Sequence, residues 1–388
     1  MTIWMWRAAY AAMVVGFLLT VASYYDRTTG LTIFLGLPTN GHSYELPAVQ
    51  AVPHAHDEVD GGYDGQFYAQ MAVDPLLRNP DIDRAMDKPG YRAHRILLSW
   101  TAWLVSGGDP AMALHVFAWQ NVVCWLILAW LMTKWFPAGT ARMFVLWACV
   151  MSTHGLLFSV RNALTDGPSV LLTAVAVLAM ERGRPWVAMV VTGVSGLARE
   201  TNILAGAMLL QRLCRDPRSW MSVAAGLLVC LLPLALWLDY LRSIYLDATF
   251  SGGGHITTPL AGFLWKGRTT WGAVLAHGLT VQTAANVLML AAFVSQAVAL
   301  TWCTRMWMKD REASAAWLLV AWPFLLLGLT AHQVVWDGSP GAITRVVLPL
   351  TVGVNVLLAR QPHAPWALLI AANLGVVVGV MAFVFGWI

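Results

Sequence analysis

A chain of 388 residues with 58% hydrophobic and only 11% charged side chains cannot furnish the water-facing surface of a soluble domain, which usually carries about 25% charge. Its net charge of +4 comes from scattered basic residues with no basic stripe, which excludes a nucleic-acid module, and its 21 tryptophans suit a lipid–water boundary. The cysteines Cys124, Cys149, Cys214, Cys230 and Cys303 lie in apolar runs or short basic loops and form no CxxC pattern, so neither a disulfide framework nor a thiolate metal site is implied.

A membrane-spanning helix needs about 20 apolar residues. The first such run covers 3–24. Trp4 and Trp6 anchor its start and no small-x-small cleavage site follows, so it reads as a retained span, with a signal peptide as the alternative. Further runs fall at 110–133, 141–160, 167–180, 185–198, 202–213, 219–240, 280–303, 314–331, 345–359 and 365–386. The expectation is an all-α, polytopic transmembrane bundle of about eleven spans, forming a single membrane-embedded unit over 1–388. A shorter apolar helix at 95–106 is expected to lie at the interface.

The basic residues of the short loops at 182–184, 212–218, 305–311 and 360 would share the cytoplasmic side, which puts the N-terminus inside. The long segments 26–110 and 241–279 then lie outside as loops, the first carrying interfacial helices. Irregular polypeptide kept on one face points to work done on that face. The expected location is the bacterial inner membrane, with the active site on its periplasmic side.

Five constellations could carry chemistry. The loop 54–68 holds two histidines and four carboxylates, among them Asp57, Glu58 and Asp64. Asp64 is the candidate general base, because the aromatics that follow at helical spacing could seat it on the membrane boundary. A solvated acidic loop is the plainer reading. His54, His56, Asp57 and Asp60 could alternatively hold a divalent cation; no cofactor is otherwise implied. Arg92 and Arg95, three apart, could grip one anion, or snorkel to headgroups. Asp166 opens the turn Asp166-Gly167-Pro168, as a helix N-cap or as a carboxylate aimed into a cavity. Arg199 and Glu200 sit between two runs too short to cross, and charges at such a break usually line a cavity. Arg345 follows the Trp336-Asp337-Gly338 turn as a candidate phosphate ligand. No GxxxxGK[ST], GxSxG or HExxH motif occurs.

Tyr63-Asp64-Gly65-Gln66-Phe67-Tyr68, Asp74-Pro75, Tyr91-Arg92-Ala93-His94-Arg95, the Asp166-Gly167-Pro168 turn, Leu197-Ala198-Arg199-Glu200-Thr201 and Arg345, in that order, resemble bacterial members of the GT-C glycosyltransferase superfamily. The likeness is to the mannosyltransferases of GPI-anchor and protein O-mannosylation pathways, and to a bacterial group linked to cell-surface glycopolymer formation. It covers the whole chain in layout. It implies a hexosyl- or pentosyltransferase that takes a sugar from a polyprenyl-phosphate donor to a glycan or lipid-linked acceptor. It also implies a catalytic carboxylate in the first outside loop, matched by Asp64, with Asp57 and Glu58 as the alternative match. Asp166 matches a second acid, and Arg345 and Arg199 match phosphate-binding arginines. Arg92 and Arg95 join them as candidate donor-phosphate ligands, and Gln66, Tyr68, Tyr91, Glu200 and Asp337 are expected to line the substrate. A lipid-linked-sugar transporter or flippase, or an outer-face glycan polymerase or ligase, are the competing readings.

Overall fold

Long apolar runs with few charges satisfy their backbone polar groups internally only as helices, and helices are what form. The computed structural model describes residues 2–39, 44–57, 62–245, 254–309 and 314–386, apart from the side chains of 214 and 215, and holds no strand among them. Among the described residues, four helices are long and apolar enough to cross a membrane: Ile3–Ser23, Pro110–Met132, Pro217–Ile244 and Val281–Lys309. Two bent pairs raise this to six if each counts as one span: Ala141–Met151 with His154–Arg161, bent by 45°, and Trp366–Ala372 with Gly375–Phe385, bent by 46°.

This is fewer than the eleven crossings expected, although every apolar run named above is helical. The difference lies in length and burial. Asp166–Glu181 has 16 residues, or about 24 Å at 1.5 Å per residue, against a hydrocarbon thickness of about 30 Å. Ala316–Thr330 and Leu348–Ala359 are shorter still, at 15 and 12 residues, and the second is buried along its whole length. A helix enclosed by other helices is as apolar as one facing lipid, so composition alone counts both as spans.

Outward faces are apolar. Leu228, Leu232 and Leu236 are 68%, 54% and 63% exposed and repeat every four residues down Trp220–Ile244, a stripe suited to lipid. Inside the bundle, Pro185–Ala198 packs between Asp166–Glu181 and Trp220–Ile244. It comes close because Gly193 presents no side chain to the Cys230 carbonyl, 2.7 Å from where a Cβ would stand.

The first long segment carries short helices: Thr32–Leu35, Pro47–Gln50, Gly65–Val73 and Pro89–Arg92, followed by Leu97–Ser106. The last falls where a short apolar helix was expected. Gly65–Val73 packs on both Leu97–Ser106 and Pro110–Met132. The second long segment departs from expectation, because Ala261–His277 is a 17-residue helix. Lys266, Arg268 and three glycines interrupt its apolar pattern, which hid it. The described cysteines Cys124, Cys149, Cys230 and Cys303 are free thiols.

Candidate functional site

Asp64 sits at the start of Gly65–Val73, but its side chain does not cap that helix. Its carboxylate reaches Arg92 instead, with Oδ1 3.0 Å from Nη1. Gly65 explains how Asp64 arrives there. A Cβ at Gly65 would strike the Asn162 carbonyl and lie 2.9 Å from that of Leu35, so glycine lets the helix start press onto the turn after His154–Arg161. Gly65→Ala is expected to lower thermal stability by about 1–3 kcal/mol. Gly139→Ala, with open space around its Cβ, is the control.

Asp166 is 2% exposed. Thr165 holds the N-cap position, so Asp166 lies inside the first helical turn and is not a cap. Its Oδ1 pairs with Arg199 Nη1, and its Oδ2 stands 3.6 Å from Arg345 Nη1. Arg345 Nη1 is also 3.8 Å from Asp64 Oδ2. The guanidinium of Arg345 stacks near the rings of Tyr63 and Phe158, at 5.6 and 5.7 Å. One continuous series of alternating charge results: Arg92, Asp64, Arg345, Asp166, Arg199.

Arg199 is there because the helix stops. Ala198 ends Pro185–Ala198, Arg199 is extended, and Glu200–Leu210 continues as a 3₁₀ helix. Asn202 fastens the break by donating to the Ser169 carbonyl at 2.9 Å and the Ser195 hydroxyl at 2.7 Å. Glu200 turns the other way and takes a two-bond fork from Arg95, at 3.0 and 2.8 Å. Arg95 also donates to the hydroxyls of Tyr68 at 3.0 Å and Tyr91 at 2.8 Å. Its donor edges are therefore engaged within the protein, and it acts as a pin between the first loop and the helix break. Arg92 likewise forks onto Asp87 at 2.8 and 2.9 Å, a partner that nothing in the sequence pattern singled out. Although burial pulls the other way, the Asp87 hydrogen bonds and the nearby carboxylates hold the Arg92 pKa above the ordinary guanidinium value.

Arg345 differs from these. Its carboxylate neighbours stand beyond hydrogen-bond reach, and its side chain lines an open cavity of about 610 Å³ together with Tyr63, Phe158, Arg161 and Asp337. Asp337 is exposed at the rim and accepts the Gly338 N–H at 2.8 Å. Asp57 lines the same cavity, with its backbone tied to Leu37 and Thr39. Gln66 is buried, with its side-chain amide beside Gly62. Glu58 and Asp60 lie outside the described residues. His54 and His56 pair with Glu45.

Two contributors were missed beyond Asp87. Tyr63 stood in the motif without a role, yet its ring packs edge-on to Phe158 at 5.2 Å and floors the Arg345 side chain. The neighbouring Gly155 admits the Thr344–Arg345 backbone against His154–Arg161, which sets where Arg345 points. Comparison with family models, curated proteins and solved structures finds no match to this chain.

Proposed function

We propose that the protein is a membrane glycosyltransferase of GT-C type, moving a sugar from a polyprenyl-phosphate donor to a cell-surface glycan or lipid-linked acceptor. The reaction is assigned to the outer face of a bacterial inner membrane, with the N-terminus in the cytoplasm. One observation carries the reading: Arg345 stands between Asp64 and Asp166 without being locked to either, and faces an open cavity. Four arginines (92, 95, 199, 345) meet four carboxylates (64, 87, 166, 200), so the cluster is balanced before any ligand enters. A phosphodiester that takes Arg345 displaces Asp64 from its more distant cation and leaves that carboxylate a better proton acceptor.

The chemistry then runs in a single displacement. Asp64 removes the proton of the acceptor hydroxyl as its oxygen bonds to the anomeric carbon. The bond from that carbon to phosphate oxygen breaks, and the electron pair leaves with the polyprenyl phosphate. The configuration inverts. Arg345 stabilises the charge that grows on the leaving phosphate, with Arg199 holding Asp166 behind it. The lipid tail lies among the apolar helices, and the acceptor enters through the cavity.

Arg345→Lys is the sharpest test of the phosphate role. A lysine keeps the charge but loses the planar fork. Transfer of labelled sugar in isolated membranes is expected to fall by about 10²–10³-fold, the usual cost of one donor at a developing oxyanion. Transfer at the wild-type rate with equal protein in the membrane removes Arg345 from the role.

A further inference from the structure

We propose that Glu45, His54 and His56 form a binding site for a divalent transition metal of the zinc class, on the first long segment and separate from the charge series around Asp64. His54 Nε2 lies 3.3 Å from Glu45 Oε2, and His56 Nε2 lies 3.4 Å from Glu45 Oε1. One ligand atom from each of the three falls within 4.8 Å of the others. A tetrahedral ion with bonds of about 2.0–2.2 Å sets its ligands about 3.4 Å apart, and each imidazole already stands at that separation from a Glu45 oxygen.

His54 is also turned correctly for a ligand, with Nδ1 tied back and Nε2 aimed at Glu45. Its Nδ1 is 2.7 Å from the Val52 carbonyl, which can only accept, so Nδ1 carries the hydrogen. In the neutral ring Nε2 is then a lone pair, facing a carboxylate oxygen that is also an acceptor. The His54 side chain is 4% exposed, and its Nε2 is buried without a hydrogen bond of good geometry. An ion bound there takes a lone pair from each of His54, His56 and the Glu45 carboxylate, in place of the imidazole protons that otherwise bridge these contacts. The bond from Nδ1 to a backbone carbonyl is also the usual outer support of a metal-bound imidazole.

The ligands are held in advance by separate anchors. Leu46 N–H donates to Gln70 Oε1 at 2.8 Å, Ala55 N–H to Thr32 Oγ1 at 2.9 Å, and Asp57 N–H to the Leu37 carbonyl at 2.6 Å. Two imidazoles with one carboxylate favour zinc and its neighbours over calcium or magnesium, which take oxygen ligands. His56, 43% exposed, gives the ion a route in and leaves a coordination position open to water. The ion would cross-link the stretch at 45 to that at 54–56. The sequence had instead grouped the histidines with Asp57 and Asp60.

The test uses the purified full chain in detergent, stripped with a chelator and dialysed against zinc at about pH 8, where free imidazole is neutral. The expected result is one tightly held zinc per chain by elemental mass spectrometry, with an X-ray absorption spectrum showing two imidazole ligands and no sulfur. His56→Ala, which alters an exposed side chain, is expected to weaken zinc binding by more than about 100-fold, beyond the loss typical of outer-shell partners. Glu45→Gln should do the same, and His277→Ala, at an exposed histidine elsewhere, should do nothing. A wild-type protein that retains no zinc overturns the site whatever the variants do. So does a sulfur-dominated spectrum, or zinc retention by His56→Ala equal to wild type.

Discussion

Asp64→Asn is expected to abolish sugar transfer, lowering the rate by at least about 10²–10⁴-fold, the usual contribution of a positioned general base. The substitution keeps the shape of the side chain and leaves an oxygen to accept from Arg92, so membrane insertion and protein level should match wild type. What it removes is the ability to take a proton. Surface glycan from a deletion strain, rescued with wild type or with Asp64→Asn and compared by mass spectrometry, reads the outcome directly. In the rescued variant the sugar should be missing. If the glycan is complete, Asp64 is not the base. Asp57→Asn in the same background then asks whether Asp57, which lines the cavity that Arg345 faces, does the work. If neither matters, the transferase reading itself fails.

Glu200→Gln should show a different signature, a loss of stability rather than of chemistry. Arg95 is 8% exposed at its side chain and sends two of its bonds to Glu200. Removing one partner from a buried pair typically costs about 3–5 kcal/mol, because the remaining charge stays buried without its counterion. Glu200 is 28% exposed, so water softens the loss and the lower end of that range is expected. Thermal unfolding in detergent measures it. Arg95→Met combined with Glu200→Gln should recover part of the loss, because the stranded charge is then gone. Wild-type stability for Glu200→Gln alone would show that the pair does not hold the first loop to the helix break. A large change in donor KM at unchanged stability would return Arg95 to the substrate.

Much of this site was legible from the chain because charge is expensive among apolar residues. In a protein with so few charges, Arg199, Glu200, Asp166 and Arg345 stand out individually. Their pairing did not, because it depends on contacts across great separations: Arg95 and Glu200 are 105 residues apart. Helix positions were legible from apolar runs, but the number of crossings was not. Leu348–Ala359 is as apolar as any span and yet wholly enclosed by protein. Ala261–His277 escaped for the opposite reason, since Lys266 breaks its pattern while making a 2.5 Å bond to the Gly338 carbonyl. Glu45 carries no motif at all, and only the fold of the first segment brings it to His54 and His56.

The 3₁₀ winding of Glu200–Leu210 has a further consequence. Eleven residues at about 2.0 Å each reach about 22 Å, whereas the same residues wound as an α-helix reach only about 16 Å. The segment therefore behaves as a stretched spacer, and its pitch decides whether the guanidinium at its head meets Asp166 or is drawn back by about 6 Å. Anything that relaxes those turns would uncouple Arg199 from its carboxylate without touching either residue.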